Sequence, residues 1–220
     1  MRTAMTIAAT TNTARPTMLD YDFMRVAFAA TGVVAILAGT VGYFLVLRGQ
    51  TFAGHALSHV GFTGATGAAL IGIAPLWGLV GFTIAMAVAM GLAGERLAGR
   101  DVAVGMILSV ALGLGLLFLH FYTAYASAAT NRLFGNVLGV SLEALAVLAI
   151  LAVLGLVALG AIMRPLIFAS LDPELAEAKG VPLRTVSTVF LVIVAIGVAE
   201  SAQIVGILLV FTLMVGPAAA

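Results

Sequence analysis

Val26-Ala27-Phe28-Ala29-Ala30-Thr31-Gly32-Val33-Val34-Ala35-Ile36-Leu37-Ala38-Gly39-Thr40-Val41-Gly42-Tyr43-Phe44-Leu45-Val46-Leu47 stands between Arg25 and Arg48 without a charged side chain. Coiled at about 1.5 Å per residue, such a stretch reaches across a hydrocarbon core of roughly 30 Å. It reads as a membrane-spanning helix, and its kind recurs along the chain. Gly49 to Gly94 holds no Asp, Glu, Lys or Arg and is long enough for two crossings, with a reversal near Ile73-Ala74-Pro75, where proline supports a break. Val102 to Tyr122 gives a fourth span. Thr123 to Ser141 then turns small, polar and glycine-containing, as a connection or short interfacial helix does.

Ala144 to Met163 is the fifth span. From Thr185 to Ala220 only Glu200 is charged, and the stretch divides into two rather short helices meeting near Glu200 and Gln203. The expected fold is all-α: a polytopic transmembrane bundle of about seven spans, forming a single domain over residues 23–220. Residues 1–22, interrupted by Thr11, Asn12, Thr13, Arg15 and Pro16, lack the continuous apolar core of a secretory signal and read as a disordered tail.

Composition agrees. Of 220 residues, 63% are hydrophobic and 9% charged, with a mean hydropathy of +1.21, whereas a soluble domain carries roughly a quarter charged residues. A water-facing surface cannot be built from this, so the excess apolar surface must face a lipid bilayer. The net charge is +1 and the ten Lys and Arg never cluster, which gives nucleic acid no footing as a partner. There are no cysteines, so any metal must be held by nitrogen or oxygen ligands.

Alternating sides from the first span puts Arg48, Arg96, Arg100, Arg164, Lys179 and Arg184 on one face, against Arg2, Arg15, Arg25 and Arg132 on the other. The richer face is expected to be cytoplasmic. Many of the 25 glycines fall inside spans, where they let helices approach closely; Gly61, Gly64 and Gly67 read this way rather than as a nucleotide loop, which needs a preceding strand.

The residues that could carry chemistry are few. His55 and His59 lie four apart, so on a helix both imidazoles project from one face, a turn apart, and two nitrogen ligands can share a cation. Ser58, Thr63 and Thr66 extend that face into a polar stripe. The bland alternative places these histidines among lipid headgroups or on a neighbouring backbone. The pair matches the outer positions of the zinc-protease helix motif, but Ala56 stands where that motif has its glutamate base, which favours binding or passage over hydrolysis. Glu200 has two readings: an intramembrane acid on an ion pathway, or a loop residue at the membrane surface. His120, beside Phe118, Phe121 and Tyr122, reads as an interfacial anchor.

Asp172-Pro173-Glu174-Leu175-Ala176-Glu177-Ala178-Lys179-Gly180 reads as a short, exposed, cytoplasmic helix: Asp172 caps it, Pro173 suits its first turn and Gly180 ends it. It either covers the bundle or docks a soluble partner.

Four stretches together resemble the permease subunits of bacterial ABC importers for zinc and manganese: Phe52-Ala53-Gly54-His55-Ala56-Leu57-Ser58-His59, Leu133-Phe134-Gly135-Asn136-Val137-Leu138-Gly139, the Asp172-Pro173-Glu174 helix, and Val205-Gly206-Ile207-Leu208-Leu209-Val210 leading to Pro217-Ala218-Ala219. The resemblance runs from about Phe23 to the carboxyl end. It implies a multi-pass protein of the bacterial inner membrane that pairs with a second permease copy and two cytoplasmic ATPases and receives metal from an extracellular or periplasmic binding protein. It implies no enzyme activity and no permanently bound cofactor, the divalent metal being cargo; the absence of a G-x-x-x-x-G-K-[ST] phosphate loop agrees. It also assigns Asp172, Pro173, Glu174, Ala178, Lys179 and Gly180 to ATPase docking, and His55 and His59, with Glu200 as a weaker candidate, to the metal path.

Two departures bear on the expectation. The family usually has aspartate where His55 stands, and an imidazole there favours zinc over manganese, so zinc is the expected cargo, with manganese or iron as alternatives. The chain also stops inside what reads as a helix, where relatives continue through at least one more span, so a truncated carboxyl end is expected. The rival reading is an ATP-independent secondary transporter or channel in which Glu200 exchanges a proton or ion.

Overall fold

A computed structural model describes residues 21–93, 100–121 and 135–220. Within them lie eight α-helices: α1 (Asp22–Leu47), α2 (Thr51–Leu70), α3 (Pro75–Ala93), α4 (Arg100–Phe121), α5 (Leu142–Leu171), α6 (Pro173–Ala178), α7 (Leu183–Val205) and α8 (Ile207–Ala219), with a 3₁₀ turn at Val137–Gly139 between α4 and α5. No strand occurs among the described residues. A helix closes its own backbone hydrogen bonds, which lipid cannot replace.

α7 is the central helix. Phe190, Leu191, Ile193, Val194, Ala195, Val198 and Ala199 are all buried, and α1, α2, α3, α5 and α8 pack around it. α5 lies at the outside and presents Ile150, Val153, Leu154 and Val157, each more than half exposed; such an apolar face is at home against lipid. Some helices meet backbone to backbone. At Gly64 of α2 an added Cβ would strike the carbonyl of Gly78 in α3, and at Gly78 it would strike Gly64 in turn, so close packing is the use of that glycine, as expected.

Five helices, α1, α3, α4, α5 and α7, are long and apolar enough to cross a membrane. The two other expected spans exist as helices of different character. α2 has 20 residues but carries the polar stripe, and α8 has 13, about 20 Å of helix, short of a crossing.

The reversal expected at Ile73-Ala74-Pro75 is present between α2 and α3. Two other boundaries move. α5 runs through Arg164-Pro165 to Leu171, eight residues beyond Met163. Proline removes one backbone donor, but the last turns are held by burial of Leu166 and Ala169 and by Arg48, which donates to the Leu166 carbonyl. The break expected near Glu200 and Gln203 falls instead at Gly206, whose φ of 80° and ψ of 157° suit a residue without Cβ. Glu200 and Gln203 are thus inside α7, a helix of 23 residues rather than a short one.

The expected amino-terminal tail lies outside the described residues, apart from Tyr21 and from Asp22, which opens α1. Most of the connection after α4 lies outside them too, as do Arg2, Arg15, Arg96 and Arg132 of the charge comparison.

Candidate functional site

α2 starts at once after α1 because Gly49, at φ 61°, turns the chain. Gln50, nearly inaccessible, accepts at its carbonyl from Ala53 and Gly54 in the first turn of α2. This fixed corner sets the direction of His55 and His59. Their rings lie 4.8 Å apart, centroid to centroid, at 81°. Both side chains are half-buried. His55 also meets Phe211 of α8, with centroids 5.0 Å apart at 77°, so this end of the pair faces a neighbouring helix of the bundle.

The rest of the stripe is protein-facing and satisfied. Ser58, Thr63 and Thr66 are buried; Ser58 donates to Gly54 at 3.0 Å, Thr66 to Phe62 at 2.9 Å, and Thr63 to the Ala111 carbonyl of α4 at 2.7 Å. The Ser58 and Thr66 hydroxyls are thus engaged with the backbone of their own helix, and that of Thr63 ties α2 to α4, which leaves the two histidines as the stripe's side chains with nitrogen to offer.

Glu200 is fully buried in α7, and neither carboxylate oxygen has a hydrogen-bond partner among the described residues. A surface loop is therefore not its place. Among the described residues no three His, Cys, Asp or Glu side chains gather as a metal cage, so Glu200 does not complete a set with His55 and His59. His120 is exposed at the end of α4, 5.7 Å from the Phe121 ring.

The short helix forms as its punctuation predicts. The Asp172 side chain accepts from the Leu175 amide at 2.9 Å, Pro173 opens the first turn, and Gly180 follows at φ 81°. Asp172, Pro173, Glu174, Ala178, Lys179 and Gly180 are all exposed, while Ala176 is buried against the bundle. Beside it lies a cavity of about 440 Å³ lined in part by Arg48, Gly91, Ser170, Pro173 and Ser187. The ends of α1, α3 and α5 and the starts of α6 and α7 thus gather at one end of the bundle.

Three residues here escaped sequence reasoning. Arg48, counted only as a marker of sidedness, turns inward and donates to Ser170 at 3.1 Å and Ser187 at 3.4 Å, with its guanidinium 5.6 Å from the centre of the Phe190 ring. Gln50 donates to Ser187 at 3.5 Å. Phe211 read as one more apolar residue. Their partners lie more than a hundred residues away in sequence, so no local spacing announces them.

Two of the quoted stretches meet in space. The backbone at Gly135 sits so close to Val205-Gly206 that a Cβ there would collide with the Gly206 amide. Leu133 and Phe134 of the same stretch lie outside the described residues.

The sequence model of the ABC 3 transport family matches residues 20–220. The manganese transport system membrane protein MntC of Halalkalibacterium halodurans is 29% identical over 203 residues, which cover 92% of this chain and 70% of that protein. The manganese import system permease protein ScaB of Streptococcus gordonii is 27% identical over 204 residues, covering 91% and 72%. The solved structure of PsaBC from Streptococcus pneumoniae in complex with Fab is similar with a TM-score of 0.77 at 26% identity, over 92% of this chain and 73% of that one.

Proposed function

We propose, from the premise that this chain belongs to the ABC 3 transport family, that it is the multi-pass membrane permease of an ATP-driven importer whose cargo is a divalent metal ion. The observation that carries the reading is the His55–His59 pair, one helical turn apart with rings 4.8 Å from one another inside the bundle. Two imidazoles fill only part of a first-row cation's coordination shell. Such a partial set suits an ion that must be let go, since tight binding at the passage point would stop turnover.

Manganese, the ion named for MntC and ScaB, is the first cargo in this proposal. Zinc is the second, because imidazole is a borderline donor that suits it and because zinc outranks manganese at most nitrogen sites. Glu200 adds a buried acid to the interior of the bundle without sharing a cage with the histidines. Residues 23–220 act as one permease domain. Its partners are a cytoplasmic ATPase seated on the Asp172–Gly180 segment, a second permease copy, and a metal-binding protein on the outer side. The Asp172 helix supports this by its exposure and firm capping, which suit a rigid docking element.

The test is import into vesicles holding the permease and its ATPase. Uptake is expected to require ATP hydrolysis, and His59→Ala is expected to reduce it to background while insertion and ATPase assembly persist. Metal uptake by this chain alone, down a gradient, would favour the secondary-transporter reading instead. Normal import in His59→Ala would return the pair to a structural role.

A further inference from the structure

We infer that Phe211 gates the histidine pair: it latches the His55 imidazole in a closed arrangement and releases it when its own ring turns aside. The inference rests on the metal-passage reading of His55 and His59.

The His55 ring meets two others. His59 lies 4.8 Å away at 81°, and Phe211 5.0 Å away at 77°. Phe211 comes from another helix, so its contact can be made or broken without disturbing the spacing of the pair on α2. An edge-to-face ring contact biases an equilibrium by about two- to tenfold. That is enough to hold an imidazole away from a ligand and little enough to yield once per cycle.

α8 itself is held in place. It begins at Gly206, where φ is 80° and ψ 157°, a conformation that glycine alone adopts without strain, and Gly135 lays its backbone against that junction. Ile207, Val210 and Met214 are buried, α8 packs against α1, α2 and α7, and the Met214 carbonyl sits so close to Gly42 of α1 that a Cβ there would strike it. Phe211 is only half-buried, so its ring can turn off His55 by a rotamer change while the helix stays packed.

The test uses the full chain in lipid nanodiscs. Diethyl pyrocarbonate acylates neutral imidazoles, mass spectrometry locates the product, and exposed His120 is the internal reference. Phe211→Ala is expected to raise the rate at His55 relative to His120 about two- to tenfold, and to speed Mn²⁺ dissociation by a similar factor. Phe211→Tyr, which keeps the ring, is expected to stay within about twofold of the unaltered chain. If Phe211→Ala fails to fold, Phe211→Leu is read in the same way. Metal binding with neither rate changed overturns the gate alone. Binding of neither Mn²⁺ nor Zn²⁺ by the unaltered chain overturns the metal-passage reading, and the gate with it.

Discussion

At the scale of residues, Glu200 is the most demanding feature of the molecule. A carboxyl buried with no hydrogen-bond partner among the described residues is costly in a bundle interior, and such residues are kept for a use. Glu200→Gln preserves its shape and removes the acid. It is expected to leave folding intact, as read by thermal unfolding, while slowing ATP-dependent metal import; import at the unaltered rate would assign Glu200 to the fold alone. The sequence singled out His55, His59 and Glu200 because polar groups stand out in an apolar chain. Spacing alone placed His55 and His59 together, since four residues is one turn of helix and the rings do meet. It could not place Glu200 relative to them, because that depends on how α7 packs against α2. Phe211 was invisible for the opposite reason: one aromatic side chain in an apolar stretch has nothing to mark it.

At the scale of elements, charge-free runs and prolines located the helices well, and the discrepancies came at their ends. Arg164-Pro165 marked an end that tertiary contacts overrode, while Glu200 drew attention from Gly206, where the chain does break. A charged residue signals a membrane boundary only when water is its sole refuge, and Glu200 is enclosed by the bundle instead. Gly206→Ala tests the junction directly. Its φ of 80° with ψ of 157° resists a Cβ, so the substitution is expected to cost about 1–3 kcal/mol, measured as a lowered midpoint of thermal unfolding. An unchanged midpoint would mean that the junction relaxes freely. The short α6 needed no such correction, because its cap, first-turn proline and terminal glycine act within one segment.

At the scale of the whole molecule, the bundle presents large apolar side chains outward, with α5 and α4 carrying much of that surface, and encloses Ser58, Thr63, Thr66, Thr83 and Glu200 within an otherwise apolar core. The docking proposal belongs here, since it concerns what the assembled chain offers to another protein. Glu174→Lys reverses an exposed charge in the first turn of α6. It is expected to weaken co-purification of the ATPase while leaving the permease folded and its metal affinity unchanged; undiminished co-purification would move the docking surface elsewhere. The sequence by itself determined the membrane solvent, the all-helical class, the capped short helix and the one-turn spacing of His55 and His59. Each follows from hydropathy, chain length or hydrogen bonding within a few neighbouring residues. Only the tertiary structure decided that Phe211 covers His55, that Arg48 joins α1 to α5 and α7, that Glu200 is enclosed, and that Gly135 meets Gly206. These arrangements arise where helices distant in sequence pack side by side, and no local pattern encodes which faces will meet.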